Sequence, residues 1–291
     1  MDAPLSQVFF PSGFQELFSA WNRFPDAVPY AGGTDLIRRQ GSRIPILPRN
    51  IISLHKLEEL GRISRTERYL EIGAMVKLNQ IINLGKIVPE IFTLCLKNIA
   101  GSQLRNLATI GGNLCNPSRR LDCSAPMIAL DAQYELRTAQ NARWIAASRF
   151  SPQPGPSVLA RQELLTRIRV PLEPWTFSCY HKFHTTGSYE SEGAILLIMR
   201  NEKDILTDIR VVYSGQTVLR EKNAETMLSG KHLPLERKDA AVFIDKWKAY
   251  LSGMENAEFF LVPDSIEKTN PELIKTQILN FIDATLMRIS D

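Results

Sequence analysis

The chain has 291 residues, of which 44% are hydrophobic and 23% charged, and 35 basic against 31 acidic side chains give a net charge of +4. That length predicts about two domains with a sizeable core, and the composition excludes a disordered or fibrous chain. No dense Lys/Arg run interleaved with aromatics is present, which argues against nucleic-acid binding. The opening Met1-Asp2-Ala3-Pro4-Leu5 shows no basic region ahead of an apolar stretch, and the apolar run 194–199 is too short to cross a bilayer. A cytoplasmic protein without a membrane segment is expected. Cys95, Cys115, Cys123 and Cys179 lie scattered without a C-x-x-C pair. They are expected as reduced thiols and not as the ligand set of an iron–sulfur cluster.

In chain order, residues 7–10 read as a short strand, and Pro11-Ser12 as a helix start with Ser12 as N-cap and Gln15 as its capping-box partner. Phe14, Leu17, Phe18 and Trp21 then fall on one helical face. Val28–Tyr30 reads as the next strand and runs directly into Ala31-Gly32-Gly33-Thr34-Asp35. A strand at 51–54 follows, and Leu70, Ile72 and Ala74 alternate with Glu71 and Gly73 as in a half-buried strand. Helices are expected at 77–84 and 90–100. From Asn106 to Asn113 the chain is small and turn-like. Strands return at Gln133–Arg137, 144–147 and 163–170, with a proline-rich loop at 152–156 before the last. Pro171 and Pro174 mark a domain boundary. Beyond it, 177–183, 194–199 and 209–213 read as a small meander. In the tail, Asn270-Pro271 opens a helix whose buried face carries Ile274, Ile278, Phe281, Ile282 and Met287. The fold class is α+β.

Two segments carry most of the chemistry. Gly32-Gly33-Thr34-Asp35 follows a strand and precedes a helical stretch. Paired glycines permit positive φ, let successive N–H groups converge, and admit a phosphate closely. The helix start adds unpaired N–H groups, and Thr34 adds a hydroxyl. Thr109-Ile110-Gly111-Gly112-Asn113 repeats the composition. Either loop taken singly reads as an ordinary glycine-rich turn. Together they suggest two nests for the two phosphates of a dinucleotide. Neither fits G-x-G-x-x-G, so a Rossmann route is excluded.

Asp122 precedes the apolar stretch 125–130 and is open to two readings, helix N-capping or first-turn dipole pairing on one hand and acceptance of ribose or ribityl hydroxyls on the other. His181 and His184 are three apart on a strand, hence on opposite faces, so no metal site is expected. Lys182 between them reads as a surface group, and Arg119 and Arg120 as loop charge or as contacts to phosphate or a partner. No nucleophile–base arrangement is legible, and no catalytic residue is assigned.

Ala31-Gly32-Gly33-Thr34-Asp35-Leu36, the segment from Gln103 to Leu114 and Asp122 with the following Ala125-Pro126-Met127-Ile128-Ala129-Leu130-Asp131-Ala132 resemble the FAD-binding subunits of molybdenum hydroxylases. Glu163-Leu164-Leu165-Thr166 with Pro171, and Tyr180-His181-Lys182-Phe183, are similar to the family's next landmarks, and the likeness runs over roughly residues 6–215. The resemblance implies a two-subdomain FAD-binding fold of the vanillyl-alcohol-oxidase type over residues 1–173, with subdomains of about 1–56 and 57–173, and a small α+β C-terminal domain over 174–291. It implies a first pyrophosphate loop of Pro29, Tyr30, Ala31, Gly32, Gly33, Thr34, Asp35 and Leu36, and a second of Thr109, Ile110, Gly111, Gly112 and Asn113. Asp122 would bind sugar or ribityl hydroxyls, Leu164 would contact the flavin ring, Lys182 would approach its polar edge, and Ile99 would line the pocket. It also implies non-covalent FAD, a 2Fe–2S partner subunit, a molybdopterin-binding large subunit, and NAD or another final electron acceptor. A stand-alone FAD-dependent oxidase and a non-catalytic scaffold subunit are the alternatives. The colour of the purified protein and the genes beside its own discriminate them.

Overall fold

The computed structural model describes residues 7–38, 47–116, 122–150, 157–184, 191–215, 217–254 and 271–290. Three sheets follow one another along the chain. The first contains β1 (Gln7–Phe9), β2 (Val28–Tyr30) and β3 (Asn50–Ser53), all parallel, in the order β1-β3-β2. Helix α1 (Phe14–Arg23) makes the crossover, burying Leu17, Phe18 and Trp21, and short α2 (Thr34–Arg38) follows the first glycine loop. The expected cap of α1 is displaced. Gly13 is the N-cap and makes no side-chain cap bond. Ser12 instead donates from its N–H and its hydroxyl to Glu16, at 2.8 and 2.9 Å, because an acceptor carboxylate four residues on reaches back where Gln15 does not.

The second sheet is antiparallel and has the order β4-β5-β8-β6-β7. Its strands are β4 (Ile63–Arg65), β5 (Tyr69–Gly73), β6 (Gln133–Arg137), β7 (Ala142–Ala146) and β8 (Leu164–Pro171). Between β5 and β6 run α3 (Leu78–Ile82), α4 (Glu90–Lys97), α5 (Ser102–Arg105), α6 (Ile110–Leu114) and α7 (Ser124–Ala129). The alternation Leu70, Ile72 on β5 and Tyr134, Leu136 on β6 turns one sheet face inward, where Ile91, Phe92, Cys95 and Leu96 of α4 meet it. The two helices expected at 77–84 and 90–100 are shorter. Asn83 ends α3, and α4 stops at Asn98, ahead of Ala100, whose φ of 46° no α-helix accommodates.

The third sheet is the expected meander, in the order β12-β11-β10-β9, made of β9 (Phe177–His184), β10 (Ser191–Glu202), β11 (Ile205–Ser214) and β12 (Val218–Leu219). Its helices are α8 (Lys222–Leu228), α9 (Arg237–Ser252) and α10 (Pro271–Ser290). The apolar run of β10 is unbroken because both faces are covered. Leu196 and Ile198 face the core under the second sheet, while Ile195 and Leu197 face Phe243, Trp247 and α10. On α10, Ile274, Ile278 and Ile282 are buried as expected, whereas Met287 is exposed and Leu286 takes the inward position. Asn270 lies outside the described residues. Two arginines tie this part to the rest. Arg210 pairs with Asp131 at 2.7 Å and donates to the Ala129 carbonyl, and Arg220 pairs with Asp131 and with buried Glu225. They thereby satisfy the open C-terminal end of α7. Among the described residues no helix is long and apolar enough to cross a membrane.

Candidate functional site

The two glycine loops, far apart in sequence, touch. The first leaves the end of β2. Gly32 lies so close to the second segment that a Cβ there would stand 2.2 Å from the Leu107 carbonyl oxygen. Gly33 has a φ of +68°, and a Cβ on it would meet the Tyr30 hydroxyl at 2.2 Å. Both features require glycine, the first for close approach and the second for the left-handed backbone. The second loop is not the turn that its composition suggests. Residues 110–114 form α6, with Thr109 as N-cap, and its Oγ1 accepts from Gly112 N–H at 3.0 Å. Positive φ is therefore not used at Gly111 or Gly112. Gly111 is needed instead for packing, since its Cβ would meet Ala74 at 2.7 Å. Gly112 looks across to Ala31, whose Cβ would be 3.9 Å from its own.

The expectation of a pair of nests meets a difference between the two loops in where their N–H groups go. In the second loop, Ile110 donates to Val76 O, Gly111 to Ala74 O, Gly112 to Thr109 Oγ1 and Asn113 to Thr109 O. Thr109 is buried, and its hydroxyl accepts within the fold. In the first loop, no hydrogen bond among the described residues uses the N–H groups of Gly32, Gly33 and Thr34 or the Thr34 hydroxyl. The first loop thus keeps the open donors, and the second supplies a rigid glycine wall against them. This donor set suits an anion such as a diphosphate.

A second group of residues lies beyond α6. Asn113 Oδ1 accepts from Cys123 N–H at 3.2 Å, which joins the second loop to the start of α7. Asp122 is 8% exposed and pairs with Lys182 Nζ at 2.9 Å. Cys123, not Asp122, is the N-cap of α7, so the capping reading of Asp122 is set aside. Lys182 is mostly covered, with 16% of its side chain exposed, rather than a solvated surface group. Its Nζ also donates to Asn98 O at 3.2 Å, beside buried Ile99. The Cys95 thiol donates to Asp122 O at 3.0 Å, and the adjacent Tyr180 hydroxyl is pushed up by burial, with Cys95 and Asp122 adding to the effect. Lys182 thus sits where a carboxylate and a carbonyl converge.

Leu164 lies on the first loop's side, in the cluster of Leu17, Trp21 and Met75 against which Ala31 packs. Glu163 anchors it. The Glu163 carboxylate takes two bonds from Arg143, at 2.7 and 2.9 Å, and one from Ala160 N–H, and the Arg143 guanidinium holds its carboxyl below the usual range despite burial. The side chain of His184 and the whole of Arg119 and Arg120 lie outside the described residues. Among the described residues no group of three or more His, Cys, Asp or Glu is placed to hold a metal. Two basic residues beside the first loop, Lys77 and His55, carry no motif and were not legible in the sequence.

The fold is α+β, and its two glycine-bearing segments meet without a G-x-G-x-x-G pattern. Residues 4–173 match the FAD binding domain in molybdopterin dehydrogenase, and the chain belongs to that family. The xanthine dehydrogenase FAD-binding subunit of Escherichia coli O157:H7 is 32% identical over 156 residues, which cover 52% of either chain, so this chain spans about half the length of that curated relative. The carbon monoxide dehydrogenase medium chain of Afipia carboxidovorans is 31% identical over 223 residues, 75% of this chain and 77% of that one. Quinoline 2-oxidoreductase from Pseudomonas putida 86 has the same fold, with a TM-score of 0.81 at 20% identity over 100% of this chain and 98% of that one.

Proposed function

We propose that this chain holds FAD non-covalently and serves as the flavin-bearing electron-transfer subunit of a molybdopterin and iron–sulfur hydroxylase of the xanthine dehydrogenase type. The observation that carries the reading is the meeting of the two glycine loops with the N–H donors of Gly32, Gly33 and Thr34 left open. Residues 1–173 would be the cofactor domain, with subdomains of about 1–56 and 57–173, and 174–291 the C-terminal domain. The succession of three sheets supports this division.

The diphosphate would lie on the loop from Pro29 to Leu36, with Tyr30 and Ala31 shaping its floor and Asp35 in the first turn of α2. Thr109, Ile110, Gly111, Gly112 and Asn113 would form the opposing wall. Asp122 would accept hydroxyl bonds from the ribityl or ribose chain while keeping Lys182 in place. Ile99 and Leu164 would bound the pocket. Lys182 has a third N–H beyond its two bonds and would direct it at the polar edge of the ring. When bound, the flavin supplies the redox chemistry. A fixed cation at that edge favours negative charge there, which tunes the electron affinity of the site. Electrons would come from a 2Fe–2S subunit served by a molybdopterin-binding large subunit and leave to NAD or another acceptor. The subunit and chain names of the relatives support this assignment. A cytoplasmic location fits the free cysteines Cys95, Cys115, Cys123 and Cys179.

Co-expression with an iron–sulfur and a molybdopterin subunit encoded beside it is expected to give one complex on gel filtration. The chain alone, with an added acceptor, is expected to oxidise neither purines nor aldehydes. Turnover by the isolated chain at ordinary enzymatic rates would indicate a stand-alone oxidase. A colourless complex that takes up no FAD would indicate a scaffold.

A further inference from the structure

We propose that Lys77 is a diphosphate-binding residue, the cation that completes the first glycine loop; the proposal rests on the FAD reading above and extends it to a residue outside both loops. Its place between the loops is set by one backbone bridge and two hydrogen bonds. Its backbone pairs as an isolated β-bridge with Thr109, the cap of the second loop. Its N–H donates to Gln80 Oε1 at 2.8 Å, which fixes the residue at the start of α3. Its Nζ donates to the Leu107 carbonyl at 3.1 Å. That oxygen is the one against which Gly32 closes, 2.2 Å from where a Gly32 Cβ would stand. The ammonium is therefore one carbonyl away from the open N–H groups of the first loop, on the side of the second.

Its charge is not matched there. Among the described residues Lys77 pairs with no carboxylate, and one carbonyl takes one of its three N–H bonds. The side chain is half-buried, and burial lowers its pKa from the usual lysine value. Its field also reaches His55, which packs near Tyr30 with ring centroids 6.0 Å apart and is lowered first by burial and then by Lys77. Two basic groups thus stand beside three open N–H donors at a glycine cradle. A half-buried cation without a counter-ion is stabilised by an opposite charge nearby, and a diphosphate ester lying on the cradle supplies that charge. Phosphate then receives backbone N–H bonds from one side and a charge-assisted bond from the other.

The bland alternative is that Lys77 only braces the Leu107 carbonyl. The two roles part on ligands with and without phosphate. The flavin-free full chain is titrated with FAD by flavin fluorescence, and ADP and adenosine are used as competitors, at low and high salt. Lys77→Met is expected to raise the FAD Kd by about tenfold or more, as loss of a charge-assisted bond does. It should weaken ADP by a similar factor, flatten the salt dependence of both, and leave adenosine competition unchanged. Lys77→Arg is expected to stay near the parent. If the parent takes up no FAD, the FAD reading itself fails. If the parent binds and Lys77→Met binds equally well, the proposal fails while the reading stands. Equal losses for ADP and adenosine, or an arginine variant as weak as the methionine one, would make Lys77 a brace and overturn the proposal.

Discussion

Gly32→Ala is expected to abolish tight FAD binding. The added methyl would stand 2.2 Å from the Leu107 oxygen and 2.9 Å from its carbonyl carbon, both backbone atoms that no rotamer change can move. The loops must separate, and the open N–H groups of the first loop then lose their fixed distance to the wall and to Lys77. Displacement of about 1 Å in a pre-organised site weakens function on the order of a hundredfold, and we expect a loss of that size in FAD affinity. Gly112→Ala is the informative companion. Its new methyl meets Thr109 Oγ1 at 2.9 Å and Ala31 Cβ at an ordinary 3.9 Å. A hydroxyl can rotate away, so this variant loses the α6 cap bond and a smaller share of affinity. Titration of both variants with FAD, with circular dichroism to show that each is folded, gives the comparison. Equal affinity in Gly32→Ala and the parent would mean that the contact between the loops does not build the site.

Asp122→Ala is expected to lower both FAD affinity and the stability of the flavin-free chain. It strips Lys182 of its 2.9 Å partner and leaves the ammonium, 16% exposed, with the Asn98 carbonyl alone. Exposed ion pairs contribute about 0–1 kcal/mol, whereas breaking a buried one costs about 3–5 kcal/mol. A pair this deep but not fully enclosed should lie between, at about 2 kcal/mol of unfolding free energy. FAD affinity should fall by about tenfold or more through the lost hydroxyl acceptor and the freed lysine. Asp122→Asn keeps an acceptor oxygen and removes the charge, so it should retain more affinity than stability. Parent-like values for Asp122→Ala in both denaturant unfolding and FAD titration would remove Asp122 and Lys182 from the candidate site.

Much of this arrangement was legible in the residues. The face of α1, the alternation on β5 and the isoleucine stripe of α10 follow from periodicity, because burial on one side leaves a period in the sequence, while the apolar run 194–199 in the meander is unbroken because it is buried on both. The paired glycines were legible for the same kind of reason, since close approach and positive φ admit little else. The state of the second loop was not. Two adjacent glycines oppose a helix, and α6 exists because Thr109 caps it and the carbonyls of Val76 and Ala74 hold its first N–H groups. Those partners come from a distant stretch and leave no local trace. Lys77 and the pairing of Asp122 with Lys182 were hidden likewise. A lone lysine reads as a solvated group until the tertiary fold sets it beside Leu107 or closes Asp122 over it. Ser12 misled in the opposite direction, since Gln15 completes the capping pattern on paper while Glu16 offers the charged acceptor.

The central claim is that one FAD is held reversibly on this chain, and the release of flavin on denaturation tests it most directly. The purified full chain is saturated with FAD, freed of excess by gel filtration and precipitated with acid, and flavin is measured in supernatant and pellet. One FAD per chain is expected, all of it in the supernatant. Flavin fixed to the precipitated chain would contradict the non-covalent reading, and a chain that emerges from gel filtration without flavin would contradict the site itself.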